Sequence, residues 1–488
     1  MDSVVSGHEV RWPASVSTST LSGPVSSQAE PLFEVDVLIV GAGASGLAAA
    51  EAALDEGAEV LLLERREKWG GAGLHAGKWF GVDTRWQAEA GVEDSLEAAT
   101  AGWEELTRCG QGSHPMVQAY LSESAAVLEW ADELGAGFAL VEDAWTADGV
   151  QRYHRIATPR SGPLFTLGER LEDRVLPSTA VLALHLGPEG VDGVWLEDGW
   201  ARADAVIVAT GGWARNEELV QRYLPELGAW EHSTGAMHHM DGNGVLMMEQ
   251  VGAQLVNMEA PSIYTHDVRD PVLGDPEVLV LPWIGQSLIV DSQGLRLMNE
   301  QEGNVVWGGE VWLDRGPLYA LVSQTSAEDL EALGLGYNYG DADSGRFKLG
   351  ELAGGAGYPQ AQTVGELAEL LGMEELEATV SRYEELVQAG VDEDFGKDSD
   401  SLIGLGQELI AIPLVPAKAK SFGGASLDLE GRVLDARLQP IPGLYAAGEA
   451  AGILGGVHVG WGYEGSISGV VWSGQLAGRH AAAYALED

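Results

Sequence analysis

Cysteine is nearly absent: Cys109 is the only one in 488 residues. A disulfide framework, a Cys-rich zinc site and a Cys-ligated iron–sulfur cluster are excluded, and no metal ion is expected. No paired motif surrounds Cys109, so it reads as a buried, inert thiol. Positive charge is scarce as well. The chain has 27 Lys and Arg against 75 Asp and Glu, a formal net charge of −48. That field repels phosphate backbones and anionic lipid surfaces, which argues against nucleic-acid and membrane partners. No apolar run is long enough to span a bilayer. The first 32 residues lack a basic start followed by an apolar stretch, so they read as a poorly ordered extension and not as a secretory signal. A cytoplasmic location is the expectation. No repeat of solenoid period occurs.

What is present is an ordinary globular chain. Hydrophobic residues make up 45%, and the length suits two or three domains. Val35–Val40 is a β-branched run leading into Gly41. Ala44–Glu56 is Ala-rich and helical, and Glu59–Leu63 is a second strand, which together make a βαβ unit. Residues 97–135 read as helical, with Gly135 as the stop. Further strands are expected at 181–186, 193–196, 205–209, 278–281, 288–290 and 443–448. Helices are expected at 363–372, 376–389 and 466–483. Thr363 and Glu366 have the spacing of a capping box.

The βαβ unit carries Gly41-Ala-Gly43-Ala-Ser45-Gly46. Gly41 permits the turn after the strand, Gly43 lets the backbone approach a pyrophosphate, and Gly46 lets helix and strand pack closely. The helix then points free N–H groups at the phosphates. Glu64, 18 residues after Gly46, closes the second strand, where a carboxylate accepts hydrogen bonds from a ribose diol. This is a dinucleotide site, and the pattern alone does not choose between a nicotinamide and a flavin.

Three more motifs follow in order: Arg65 with Gly70-Gly71-Ala72-Gly73; Ala205-Val-Ile-Val-Ala-Thr210-Gly211-Gly212; and Ile441-Pro-Gly-Leu-Tyr-Ala-Ala-Gly448-Glu449. Together they resemble the flavoprotein family of soluble fumarate reductases, succinate dehydrogenase flavoprotein subunits and 3-ketosteroid dehydrogenases. The resemblance runs from about Glu34 to the C-terminus. It includes the helix pair at 363–389 followed by Gly390-Val-Asp-Glu-Asp394-Phe395-Gly396-Lys397. It implies an α/β fold with a discontinuous Rossmann-like FAD-binding domain (33–230 and 408–488) around an inserted α+β capping domain (231–407). It also implies cofactor positions. Gly41, Gly43, Ser45 and Gly46 line the pyrophosphate, and Glu64 takes the adenosine ribose. Gly71, Ala72, Gly73 and Gly77 run beside the flavin. Asn243 stands where the family usually has Asp. Glu449 approaches the ribityl or pyrophosphate region. Ser466 and Ile467 open the last helix, whose N–H groups favour negative charge on a reduced flavin. Some relatives hold the flavin covalently on a histidine in the second glycine loop. That position falls at Ala72 here, with His75 three further on, so the FAD is expected to be non-covalent.

The resemblance weakens at the substrate. Fumarate reductases clamp a dicarboxylate with cations and donate a proton from an Arg. That Arg falls at Asn304 here. A second substrate cation, usually His, falls at Lys420 in Lys420-Ser-Phe-Gly-Gly424. The late Asn-Arg pair is replaced within Gly456–Glu464, which holds no Arg. His239 keeps a His ahead of a glycine pair, with an open role. Asn has no useful acidity at neutral pH, whereas Tyr463 resembles the Tyr-x-Gly of the ketosteroid dehydrogenases and is the candidate proton-transfer residue, with a core tyrosine as the alternative. Lys420 could neutralise a reduced flavin or bind a carbonyl. Trp69, Trp79, Trp86 and Trp103 after the flavin loop, with Trp283, Trp307, Trp312 and Trp461, would suit a ring-bearing or apolar substrate, unless they are core packing.

The expected function is FAD-dependent hydride transfer at a carbon–carbon bond of a neutral or apolar small molecule, by a dehydrogenase or ene-reductase. The electron donor or acceptor stays open. The rivals are an oxygen-using flavin oxidase and a flavin-bearing partner subunit whose site has decayed.

Overall fold

The structure is a computed structural model that describes residues 30–75, 77–107, 114–141, 148–157, 162–225, 240–259, 261–269, 278–280, 284–301, 315–323, 358–406, 408–421, 423–452 and 466–487. The main sheet begins as expected. β1 (Glu34–Val40), α1 (Ala44–Asp55) and β2 (Val60–Leu63) form the βαβ unit, with β1 and β2 parallel. Val37, Leu38, Ile39 and Leu62 are fully buried, because a parallel strand flanked by helices has two covered faces.

Next come β3 (Lys78–Phe80), α2 (Arg85–Ala90), α3 (Leu96–Thr107) and α4 (Pro115–Glu133). The single helical stretch read at 97–135 is thus two helices, with residues 108–113 outside the description. Pro115 lacks an N–H and suits a helix start, where His114 Nδ1 accepts from the Met116 N–H at 3.3 Å. β4 (Phe138–Leu140) and β5 (Tyr153–Ile156) join β3 in a small antiparallel sheet. α5 (Gly162–Arg170) and β6 (Val175–Leu176) lead to an antiparallel run of β7 (Ala183–Leu186), β8 (Val191–Leu196) and β9 (Gly199–Val208). β9 returns to pair parallel with β1.

α6 (Glu217–Tyr223), α7 (Asn243–Gln250) and β10 (Leu255–Val256) lead into a second region. There β11 (Pro261–Arg269) pairs with β12 (Val278–Val280), and β13 (Leu288–Val290) pairs with β14 (Tyr319–Ser323). After β15 (Gln360–Ala361) come α8 (Val364–Leu371) and α9 (Leu376–Ala389). Glu366 N–H donates to Thr363 Oγ1 at 3.2 Å, whereas the Glu366 carboxylate takes the Gln362 N–H at 3.1 Å, one residue earlier than a capping box requires. β16 (Leu409–Pro413) pairs with β14 and β15, and β17 (Val415–Ser421) pairs with β11.

β18 (Gly424–Ala425) pairs with β10. β19 (Arg432–Leu434) and β20 (Pro440–Ala446) then close the main sheet in the order β19-β20-β9-β1-β2-β6. The last helix, α10 (Ser466–Ala485), lies against α1. A Cβ on Gly474 would sit 2.3 Å from the Ser45 carbonyl oxygen, and one on Gly478 2.2 Å from that of Ala49. Only glycine lets the two helices approach this closely. No described helix is long and apolar enough to cross a membrane.

Candidate functional site

The chain leaves β1 through Gly41, whose φ of +105° is open to glycine and strained for other residues. A Cβ on Gly46 would lie 2.0 Å from the Gly41 carbonyl oxygen, so helix and turn are in direct contact. α1 starts with no side-chain cap and no acid in its first turn, although Ala44, Ser45 and Gly46 are buried. A buried helix start whose N–H groups lack a cap needs an acceptor from elsewhere, and an anion satisfies both the hydrogen bonds and the helix dipole. Gly43 keeps the approach open: among the described residues other than its chain neighbours, only the Gly70 carbonyl oxygen comes within 4 Å of its missing Cβ, at 3.8 Å.

Glu64 is 9% exposed. Its Oε2 accepts the Ala42 N–H at 3.1 Å and its Oε1 the Arg66 N–H at 2.9 Å. Each oxygen keeps a second lone pair, the arrangement a ribose diol requires. Arg65 pairs with Asp241, just ahead of α7, and Asn243 Nδ2 donates to the same carboxylate at 2.8 Å.

The second glycine loop lies against both helix starts. The Gly70 N–H donates to the Ala42 carbonyl at 2.8 Å. Gly71 leads into a single helical turn, Ala72–His75. A Cβ on Gly73 would be 2.5 Å from Ala44 Cβ and 3.3 Å from Ile467 Cδ1. The loop therefore joins the first turn of α1 to that of α10, which opens with Ser466 and the buried Ile467. Gly77 accepts from Ile156 N–H at 3.1 Å, and Ser468 Oγ accepts the Phe80 N–H at 2.8 Å.

Beyond β9, Gly211 and Gly212 bring the third motif into the same region. A Cβ on Gly212 would meet Ser421 Oγ at 2.2 Å and Glu449 Oε2 at 2.7 Å, which places Glu449 at this turn. The Thr210 hydroxyl is buried without a hydrogen-bond partner among the described residues. The uncapped helix start and the held acid together fit a bound dinucleotide.

Tyr463 and His239 are outside the described residues, as are Asn304, Trp283, Trp307, Trp312 and Trp461. The backbone of Lys420 pairs with Ser262 between β11 and β17, and its side chain is not described. Of the tryptophans after the flavin loop, Trp79 and Trp103 follow the alternative of core packing. Trp79 and Trp103 are 1% and 3% exposed, and both belong to the core beside β3 and α4. Trp86 packs edge-on to Phe138, and Trp69 to Phe165. Asp241, Ser468 and Ser473, whose Oγ accepts the Gly448 N–H at 3.0 Å, were not singled out from sequence. The Gly474-x-x-x-Gly478 spacing was the available signal for the α1–α10 contact.

These features define a dinucleotide-binding α/β fold built around three glycine turns, two of them at the carboxyl ends of the central strands β1 and β9. The model of the FAD binding domain family matches residues 36–466, and the chain belongs to that family. It is an FAD-dependent oxidoreductase of the class acting on CH–CH groups. A fumarate reductase (cytochrome) of Shewanella frigidimarina is 29% identical, over 93% of this chain and 78% of the relative. A vinyl phenol reductase of Lactiplantibacillus plantarum is 26% identical, over 92% and 96%. Among solved structures, the open conformation of a flavocytochrome c3 fumarate reductase superposes with a TM-score of 0.70 at 25% identity, covering 94% of this chain and 79% of that one. The 3-ketosteroid-Δ4-(5α)-dehydrogenase of Rhodococcus jostii RHA1 shares the fold, with a TM-score of 0.75 at 24% identity over 93% and 98%.

Proposed function

We propose that this chain transfers hydride at a carbon–carbon bond of an uncharged or apolar small molecule, and that fumarate is a poor substrate. The observation that carries the reading is the loss of the two arginines of the dicarboxylate site, with Lys420 the one cation kept at a family substrate position. Asn304 stands at the proton-donor position, and Gly456–Glu464 contains no Arg. Enclosing a dianion without paired cations costs several kcal/mol per charge. The buried Trp79 and Trp103 lend this reading no support. One relative named for vinyl phenols fits an uncharged alkene, while others are named for fumarate.

Bound FAD supplies hydride exchange at its N5. In this reading the uncapped start of α1 neutralises the pyrophosphate, and Glu64 fixes the ribose. The first N–H groups of α10, at Ser466 and Ile467, favour negative charge beside the ring. Tyr463 exchanges the accompanying proton at its phenol oxygen, with Lys420 and His239 as the other polar candidates. The FAD is held without a covalent bond, because Ala72 occupies the attachment position. We also propose the division into an FAD-binding domain and an inserted capping domain, with the first boundary at 230/231 and the second moved from 407/408 to the end of β17. The pairing of β16 and β17 with β14, β15 and β11 favours counting residues 409–421 with the cap. A dye-linked assay tests the substrate class: fumarate reduction should stay at background while uncharged enones turn over, and brisk fumarate reduction contradicts the reading.

A further inference from the structure

Arg65 follows directly on Glu64, and its guanidinium pairs with the carboxylate of Asp241, 176 positions later in the chain. Asp241 is fixed from other directions as well. Asn243 Nδ2 donates to its Oδ2 at 2.8 Å, and the Asn243 N–H reaches Oδ1 at 3.3 Å. Asn216 Nδ2 donates to the Asp241 carbonyl at 2.7 Å, and the Gly242 N–H donates to the Gly212 carbonyl at 3.2 Å. The Asp241 carboxylate therefore ties the loop after β2 to the start of α7, and the backbone of Asp241 and Gly242 ties the same point to the turn after β9. On the other side of Arg65, the Glu64 carboxylate holds the turn after β1 through Ala42 and its own loop through Arg66.

We propose that Arg65 and Asp241 form a clasp at the adenosine end of the FAD site, acting as positioning residues for Glu64. An acid at the end of the second strand of a βαβ unit meets the ribose. Its rotamer is set by the loop that carries it, and Arg65 pins that loop to α7. Charge explains the choice of residues. In a chain of net charge −48, a bare carboxylate near a dianionic cofactor would repel it. Paired with Arg65, Asp241 is neutralised. The neutral amide of Asn243 then turns its donor toward Asp241 and adds no further negative charge. Both partners are about one-third exposed, at 29% and 32%, so the pair is not a core element whose loss must unfold the chain.

The test is a titration of flavin-free full-length protein with FAD, followed by flavin fluorescence, together with the melting temperature of the flavin-free protein. Asp241→Asn and Arg65→Met should each raise the FAD Kd about fivefold. Arg65→Lys should recover part of the loss, and the flavin-free melting temperature should not move. The double variant Arg65→Met/Asp241→Asn should be no weaker than the Arg65→Met single variant, because the contact between the two side chains is already lost in it. In a Glu64→Gln background, Asp241→Asn should cost almost nothing further. An FAD Kd within twofold of the parent in both single variants overturns the clasp. So does full additivity with Glu64→Gln, which would mean that Asp241 does not act through Glu64. A fall in the flavin-free melting temperature with the Kd unchanged makes the pair a fold contact and also overturns it.

Discussion

The ammonium of Lys397 lies 3.2 Å from Glu300 Oε2, and both side chains are fully buried. Lys397 Nζ also donates to the Ser287 carbonyl at 2.7 Å and to Tyr383 Oη at 3.2 Å. Arg296 bridges Glu300 and Asp392 from the other side, at 2.9 and 2.7 Å. Burial pulls the Lys397 ammonium below the usual lysine range, against the opposing pull of Glu300. Two segments distant in sequence, 287–300 and 392–397, are thus one ionic core.

Removing one partner of such a core leaves a charge buried with fewer neighbours. Lys397→Met should cost about 3–5 kcal/mol in denaturant unfolding of the flavin-loaded protein. A loss below about 0.5 kcal/mol would show that Arg296 alone satisfies Glu300.

A second buried group sets an acid limit. His154 is fully buried beside Trp86 and Phe138. Its Nδ1 meets the Arg152 carbonyl at 3.1 Å, and a carbonyl only accepts, so Nδ1 carries the hydrogen. Nε2 then accepts from the Thr84 hydroxyl at 2.8 Å. Burial lowers its pKa from 6.5 to about 4. Between those values the unfolded chain binds a proton that the folded one refuses, so stability falls as pH falls, by up to about 3 kcal/mol. Asp392 extends the loss at lower pH. Burial alone would raise its pKa, but hydrogen bonds from Arg296 and the Lys397 and Phe395 N–H groups hold it at about 2, so its stabilisation goes as pH drops from 3.8 through that value. Unfolding free energies at pH 7.5 and 4.5 should differ more in the parent than in His154→Gln. Identical pH dependence would remove His154 from the account.

How much of this was legible in advance depends on range along the chain. The turn at Gly41–Gly46, the acid at Glu64 and the helix stops at Gly372 and Gly390 are local, and local chemistry dictates them. The Arg65–Asp241 pair spans 176 positions and Lys397–Ser287 spans 110; topology brings them together, and no spacing announces it. Whether Trp79 and Trp103 face a substrate or the core was open in the sequence, because composition shows an aromatic cluster without showing which side of the sheet it occupies. The break between α3 and α4 was signalled by Gly110, Gly112 and Pro115, which a reading led by the apolar spacing on either side passed over.

The FAD should leave the protein on acid precipitation, with all yellow colour in the supernatant, since Ala72 offers no nucleophile. Flavin retained on the washed, denatured chain would contradict this and direct attention to His75.

Tyr463→Phe keeps the ring and removes the hydroxyl. FAD content should be unchanged, while flavin reduction or reoxidation by the true substrate slows by about 10²–10⁴-fold. An unchanged rate would make Tyr463 a packing residue and move the proton role to Lys420 or His239.

The central claim is the choice of an uncharged substrate over a dicarboxylate. Anaerobic stopped-flow mixing of the reduced protein with fumarate, and separately with uncharged cyclic and aryl enones, measures it at the flavin itself. The account predicts rapid return of the oxidised flavin spectrum with at least one enone and no acceleration by fumarate. Rapid reoxidation by fumarate, with none by the enones, would contradict it.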